Sequence, residues 1–161
     1  MIPIATAEEL KEFIGYKFKY PEILEEACRR RAFTNEHKEE NLECMDPLAT
    51  LGDAVLDTVV VLKLYREGYR SKGKITLKKI EQVKHEQTRA FAEKHELGEY
   101  SLWGDGEYKQ MDTIRKGKAF DAVTEALIGA IFLDAERREW NGLKTVQEFL
   151  EKRKFFKPDS L

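Results

Sequence analysis

The chain has 161 residues, of which 42% are hydrophobic and 36% charged, and its formal net charge is −2. This length suits one domain with a full hydrophobic core, and the near-neutral charge restricts any nucleic-acid binding to local basic patches. The apolar runs are too short or too interrupted to predict a membrane-spanning helix, and the N-terminus lacks the pattern of a signal peptide. We therefore expect a cytoplasmic protein without membrane contact, in which Cys28 and Cys44 are reduced thiols.

Apolar residues recur at helical spacing along most of the chain, and strand signals are almost absent. Thr6 with Glu9 predicts a capping box at the start of the first helix. Pro21 and Pro47 fit the first turns of the second and third helices. Three further helical ranges are predicted within the usual tolerance at helix ends: about 76–94 in one or two pieces, about 115–134 and about 140–154.

Two segments interrupt this helical pattern. Gly68 and Gly73 predict the break after the third helix, and the glycines of segment 97–107 predict turns. The expected architecture is a single all-α domain over residues 1–155, followed by a frayed C-terminal tail over 156–161.

Two of the most apolar stretches each carry a carboxylate near a glycine. Asp53 directly follows Gly52, and Glu125 lies four residues before Gly129. An ionised carboxylate is costly to bury without compensation, whereas a glycine allows another backbone to approach closely. We expect the two helices to cross with their acids converging. Such carboxylates repel each other unless a cation lies between them, and oxygen ligands of this kind suit Mg²⁺.

The residue pattern leaves other interpretations open. Asp53 and Glu125 could instead accept hydrogen bonds from buried backbone groups or pair with an arginine, as acids in structural ion-pair networks do. Asp57 lies at i+4 from Asp53 and could share its face, although a solvated position is the simpler expectation. If all the acids lay at the surface, the chain would be an all-α protein-interaction module, which the flanking apolar residues disfavour.

The segments "LGDAVL" (51–56) and "TEALIGAIFLD" (124–134) resemble the two signature segments of the ribonuclease III family, in the family's order and spacing. The resemblance extends over about 15–150. Family members are α-helical, Mg²⁺-dependent endonucleases that cut double-stranded RNA as homodimers. The resemblance therefore implies hydrolysis of phosphodiester bonds in double-stranded or structured RNA, such as a ribosomal RNA precursor. It also implies Mg²⁺ as the cofactor, with Mn²⁺ as a potential substitute.

The resemblance assigns site residues motif by motif. It implies that Asp53 and Glu125 are the catalytic acids and bind the metal. Glu86 matches an acidic position near the family's site, on the middle helix. Asp46 stands where the family has a glutamate, at the rim of the site, and its side chain is shorter than that glutamate's. Asp121 matches a metal-binding aspartate of the second signature segment.

The chain also departs from the family pattern. Ala49 replaces a metal-binding glutamate, as in the mini-ribonuclease III branch, which remains enzymatic. Thr50 replaces a phenylalanine that contacts the partner subunit, which implies a looser dimer. The family places its second aspartate three residues before the glutamate, but Asp121 lies four before Glu125, so either Asp121 or Ala122 could face the metal. A π-bulge could absorb the extra residue, which keeps Asp121 among the expected ligands.

Contacts to RNA phosphates are expected from basic residues in two segments, although ordinary solvated helix faces would explain any single lysine equally well. These residues are Lys72, Lys74, Lys78 and Lys79 in the first segment and Arg115, Lys116 and Lys118 in the second. We expect no separate double-stranded-RNA-binding domain, so RNA affinity would come from the dimer groove or a partner protein. The loss of the glutamate at Ala49 also permits a catalytically silent RNA-binding or ribosome-associated scaffold.

Overall fold

The computed structural model describes residues 9, 11, 12 and 14–158. Within that part of the chain the regular elements are helices, and β-structure is limited to one isolated bridge between Arg29 and Leu102. The predicted all-α fold class is therefore confirmed. Residues 9, 11, 12 and 14 are helical, while Thr6 of the predicted capping box lies outside the described residues.

The helices after residue 14 are numbered in chain order. The described residues form nine of them: α1 (Pro21–Cys28), α2 (Arg31–Glu36), α3 (Asp46–Arg66), α4 (Lys72–Val83), α5 (His85–Lys94), α6 (Asp105–Lys109), α7 (Met111–Ile114), α8 (Lys118–Arg137) and α9 (Gly142–Lys152). Short 3₁₀ turns at Lys38–Glu40 and Leu97–Tyr100 complete the set.

The prolines lie at the positions predicted from the sequence, in the first turns of α1 and α3. The region 76–94 forms two helices, α4 and α5, because the backbone of Lys84 is extended and separates them. Gly68 follows the end of α3 with a φ of 100°. Gly73 does not break the chain but lies inside α4, which begins earlier than predicted because the Ser71 side chain caps its N-terminus.

Helices α3 and α8 form the centre of the domain. They are the longest elements described, with 21 and 20 residues, and their contacting faces are fully buried at Val59, Val60, Ile128 and Ile131. Helices α1, α5 and α9 pack against α8, and α4 packs against α3. The N-terminal half of α3 keeps one solvent-exposed face, which includes Asp53.

The crossing of α3 and α8 depends on Gly52 and Gly129. A Cβ atom at Gly52 would lie 1.7 Å from the carbonyl oxygen of Glu125, and one at Gly129 would lie 2.1 Å from the carbonyl oxygen of Leu48. Neither position can hold a side chain unless the helices separate. The close crossing predicted from the two glycines is therefore confirmed, and it places Asp53 next to the turn of α8 that carries Glu125.

The packed part of the chain continues past α9. Phe155 is buried, and the Gln87 side chain donates a hydrogen bond to its carbonyl oxygen. The backbone N–H of Lys157 donates to Gln82 Oε1 at 2.9 Å, so ordered contacts reach into the segment that the sequence assigned to a frayed tail. Residues 159–161 lie outside the described part. None of the described helices combines the length and hydrophobicity that crossing a membrane requires.

Candidate metal-binding active site

Asp53 and Glu125 lie at the crossing of α3 and α8, one on each helix. Glu125 is partly buried, and its pKa is raised to about 7, first by burial and then by the negative charges of Asp53, Asp121 and Asp57. Asp53 is exposed, so the expectation that its apolar helix buries it is wrong for the single chain. The pair therefore combines a crowded, half-buried carboxylate with an accessible one at the open edge of the crossing.

This pair has the chemistry of a hydrated divalent-cation site. The surrounding negative charges disfavour the ionised form of Glu125, and a cation beside the carboxylate would relieve that repulsion. Mg²⁺ is often held by one or two carboxylates, with water and substrate phosphates completing its shell, which Asp53 and Glu125 fit. A denser cluster is absent from the described residues, where no three His, Cys, Asp or Glu side chains lie close enough together to hold a metal.

Asp46 and Glu86, both expected near the metal, have other partners. Asp46 begins α3 and forms an ion pair with Arg31 of α2. Glu86 is exposed in the first turn of α5, with Oε2 3.6 Å from Lys84 Nζ. Among the described residues, neither acid forms a metal-binding cluster with Asp53 and Glu125, and each has a basic side chain beside it.

Asp121 is buried and directs its carboxyl group toward α5. Its Oδ2 lies 3.1 Å from His85 Nδ1 and its Oδ1 lies 3.4 Å from Arg89 Nε, both ion-pair distances, although neither oxygen has a hydrogen bond of ordinary geometry. Burial raises the pKa of Asp121, and the charges of Arg89 and His85 oppose that rise. Helix α8 is regular here, so the π-bulge proposed to turn Asp121 toward the metal is not present.

The first group of predicted RNA-binding residues lies on α4. Lys72 and Lys74 are exposed at its N-terminal end. Lys78 lies with its Nζ 5.1 Å from the centre of the Tyr69 ring, and Lys79 Nζ lies 3.5 Å from Asp57 Oδ2. The exposed end of α4 is therefore the more accessible part of this group.

The second group precedes or begins α8. Arg115 lies between Glu93 and Glu99, with N–O distances of 3.5 and 3.4 Å, so much of its charge is compensated within the chain. Lys116 and Lys118 are exposed, and they offer the clearer positive charge at this end of α8.

A buried acid that the sequence interpretation did not assign is Asp134, at the end of the second signature segment. Its carboxylate accepts hydrogen bonds from the Tyr16 hydroxyl at 2.7 Å and the Tyr20 backbone N–H at 2.9 Å. It also pairs with Arg138 at 3.0 Å. Asp134 therefore ties the segment before α1 to the end of α8, and its role is structural.

His85 and Arg89 were also missed as site residues. Both lie on α5, four residues apart and hence on one face. Their spacing was visible in the sequence, but nothing there showed that this face would meet Asp121.

The fold and the site together define a class: an all-α domain in which two central helices cross at paired glycines, with an acid pair at the crossing. Residues 20–157 match the family model described as Ribonuclease-III-like, and the chain belongs to that family. The resemblance recognised in the two signature segments is thus confirmed.

Curated relatives carry the name Ribonuclease 3. The chain is 34% identical to Ribonuclease 3 of Listeria monocytogenes serotype 4b (strain CLIP80459) over 154 residues, which cover 95% of this chain and 64% of that protein. It is 33% identical to Ribonuclease 3 of Shewanella denitrificans, over 84% of this chain and 57% of that protein. The chain therefore spans less than two thirds of the length of these relatives.

Two solved structures share the fold. A structure of the nuclease domain of ribonuclease III from Campylobacter jejuni has a TM-score of 0.76 and 22% identity, and the match covers 99% of this chain and 100% of that one. Another structure of the same domain, concerned with structural flexibility in the region involved in its dimer formation, has a TM-score of 0.75 and 24% identity, covering 91% and 94%.

Proposed function

We propose that this chain is a divalent-metal-dependent endoribonuclease that hydrolyses phosphodiester bonds in double-stranded or structured RNA. Membership of the ribonuclease-III-like family supports the activity class. The observation that carries the proposal is the state of Glu125, whose pKa is raised to about 7 beside Asp53 at the crossing of the two signature helices. Strongly perturbed acids of this kind are concentrated at functional sites.

The proposed metal is Mg²⁺, with Mn²⁺ as a substitute, held by Asp53 and Glu125. A bound divalent cation polarises a phosphoryl oxygen and stabilises charge on the leaving oxygen. Asp53 needs little rearrangement to bind because it is already exposed. Glu125 must be ionised to act as a ligand, so cation binding near neutral pH should release a proton from its carboxyl group. Ala49 adds no oxygen ligand, which leaves more positions to water and to the RNA phosphate.

The proposed RNA contacts are the exposed lysines at the start of α4 and before α8. Lys72, Lys74, Lys116 and Lys118 are exposed and lie at or next to helix N-termini. Positive side chains add there to the partial positive charge of the helix end, and both attract phosphate. Double-stranded RNA is recognised largely through shape, phosphates and 2′-hydroxyls, so these contacts require no base stacking.

We further propose a homodimer that forms through the exposed face of α3 and α4. Val61, Tyr65, Leu77 and Ile80 are large apolar side chains left exposed on these helices. A surface groove of about 410 Å³ runs beside Val61 and Tyr65 toward Asp57. Clustered exposed apolar side chains of this kind mark interaction surfaces, and a twofold axis would bring the same face of a second copy onto the first.

The decisive experiment is cleavage of a long, end-labelled RNA duplex in Mg²⁺, in Mn²⁺ and in EDTA. The wild-type protein should cut in either metal and not in EDTA, and Asp53→Asn and Glu125→Gln should each lose at least about 100-fold in rate, since each removes a charged metal ligand. If wild type and Asp53→Asn cleave equally slowly in both metals, the enzyme is excluded, and a silent RNA-binding scaffold is the remaining function.

A further inference from the structure

Asp121 lies on the same side of α8 as the proposed catalytic acid but does not share its environment. It lies four residues before Glu125, one helical turn away on the same face. Its side chain is only 3% exposed, and its charge contributes to the raised pKa of Glu125. The carboxyl group of Asp121 is therefore close to the site, yet it faces α5.

Helix α5 presents an imidazole and a guanidinium group to this buried carboxylate. His85 Nδ1 lies 3.1 Å and Arg89 Nε 3.4 Å from the Asp121 oxygens. A buried hydrogen bond of 2.7 Å from Thr124 Oγ1 to the Thr88 carbonyl oxygen fixes α5 against α8 at the same level. The carboxylate, the imidazole and the guanidinium are thus held by two helices whose relative position is set by the core.

The outer sides of His85 and Arg89 remain open to solvent. The His85 side chain is 67% exposed and that of Arg89 is 29% exposed. A buried salt bridge contributes little to the stability of the fold, because the cost of desolvating the carboxylate offsets most of the electrostatic attraction. A cation that is already oriented loses less conformational entropy when it meets an anion. The arrangement therefore suits binding of a negatively charged group from the solvent side.

An RNA backbone approaching the site meets negative charge from Asp53, Asp57 and Glu125. Positive groups within one or two turns are needed to hold a phosphate against that repulsion. Arg89 is such a group, and so is the His85 ring when it is protonated, since Asp121 holds both beside the turn that precedes Glu125. Neither residue belongs to the lysine-rich segments that the sequence analysis assigned to RNA contact.

We propose that Asp121 is a positioning residue that holds His85 and Arg89 as contacts for RNA backbone phosphates next to the Asp53–Glu125 pair. This role presupposes the ribonuclease activity proposed above and assigns Asp121 to substrate binding, not to the metal. A carboxylate that already faces a guanidinium and an imidazole is a poor additional ligand for a divalent ion, because the ion would have to compete with both side chains.

The test is equilibrium binding of a fluorescent RNA duplex in EDTA at a series of salt concentrations, which needs no catalysis. Arg89→Gln should weaken binding several-fold and reduce the salt slope by up to about one, as expected for a lost phosphate contact of a permanent cation. His85→Gln removes an imidazole from the same contact and should also weaken binding. Asp121→Asn should also weaken binding, although it removes a negative charge. Simple electrostatics predicts the opposite, tighter binding, so the sign of this effect identifies positioning.

Arg137→Gln is the matched control. Arg137 lies at the far end of α8, where it pairs with Glu22 at 3.4 Å, so its loss removes one arginine and one ion pair away from the site. Melting curves of each variant check folding, and if Asp121→Asn does not fold, Arg89→Gln and His85→Gln carry the test. In Mg²⁺, Arg89→Gln should raise KM more than it lowers kcat, because Arg89 would contact the phosphate in the bound substrate as well as in the transition state.

Two results would overturn the proposal. The first is that Arg89→Gln and His85→Gln bind RNA with the same affinity as the control Arg137→Gln. The second is that Asp121→Asn binds RNA at least as tightly as wild type but has a much lower kcat, which would make Asp121 a metal ligand. Neither result would contradict the proposed ribonuclease activity of the wild-type protein. If the wild type neither binds nor cleaves duplex RNA, the proposed function itself fails, and the phosphate-contact role fails with it.

Discussion

Gly52 of α3 contacts the backbone of Glu125 in α8 so closely that a Cβ atom on the glycine would lie 1.7 Å from the glutamate's carbonyl oxygen. The separation of the two proposed catalytic acids is therefore set by backbone contact and not by side-chain packing, which tolerates more variation. Asp53 directly follows Gly52, so any change that moves the helices apart also moves the acid pair.

Gly52→Ala should strongly destabilise the domain. The added methyl group cannot fit against a backbone carbonyl, so α3 must shift away from α8 along a fully buried interface. Overpacking typically costs about 1–3 kcal/mol, and a clash with backbone should lie at or above the upper end of that range; urea unfolding followed by circular dichroism would measure it. The control is Gly106→Ala on α6, where a Cβ atom would meet nothing within 4 Å. Equal unfolding midpoints for the two variants would contradict the backbone-contact account.

The stability of the metal-free protein should fall as pH rises through the range in which Glu125 titrates. Its pKa is raised from 4.5 to about 7 in the folded state, so between these values the folded protein binds more protons than the unfolded chain. Unfolding free energy must then decrease with increasing pH. Because Glu125 is partly solvent-exposed and screened, the effect should be on the order of 1 kcal/mol or less.

Glu125→Gln supplies the comparison for this pH effect. The amide does not titrate and carries no charge toward Asp53, so the variant should lose this component of the pH dependence and be at least as stable as wild type at pH 8 without metal. Thermal melts between pH 4 and pH 8 in EDTA would measure both proteins. Parallel curves for the two would show that Glu125 is not the group responsible.

The sequence predicted the helices and the central crossing because those features depend on local pattern. Gly52 and Gly129 lie in apolar stretches, where a glycine indicates close contact with another backbone. The helix crossing could therefore be predicted from the sequence alone. The environment of each acid was harder to predict. Asp53 was expected inside because its neighbours are apolar, yet the rotation of α3 about its own axis leaves it exposed.

Partner choice among charged residues could not be predicted from spacing. Asp46 pairs with Arg31 on α2, and Asp121 faces His85 and Arg89 on α5. Each pairing depends on how separate helices meet in space. Asp134 shows the same limit, because its bonds to Tyr16 and Tyr20 join residues more than 110 positions apart. A signature segment can therefore contain an acid that anchors the fold, such as Asp134, in addition to the acids proposed for the site, and their contacts distinguish the two.

The protein should be a dimer in solution, and Val61→Glu should make it monomeric. Val61 lies in the exposed apolar groove on α3, and a glutamate there would be buried without a partner in a twofold interface. Light scattering at micromolar concentration would measure the mass. Trp140→Glu is the control, since Trp140 is an exposed aromatic residue between α8 and α9 and belongs to neither α3 nor α4. A wild-type monomer would exclude the proposed interface.

Mg²⁺ should raise the melting temperature of the wild-type protein, because a cation that binds only the folded state stabilises it by mass action. At ten times its dissociation constant the gain is about 1.4 kcal/mol. Asp53→Asn should melt no lower than wild type in EDTA, since it removes a charge that repels Glu125, yet it should gain much less from Mg²⁺. Glu86→Gln is the matched control, because Glu86 is exposed beside Lys84, and it should keep the full response. Equal Mg²⁺-induced shifts in all three proteins would place the cation away from Asp53.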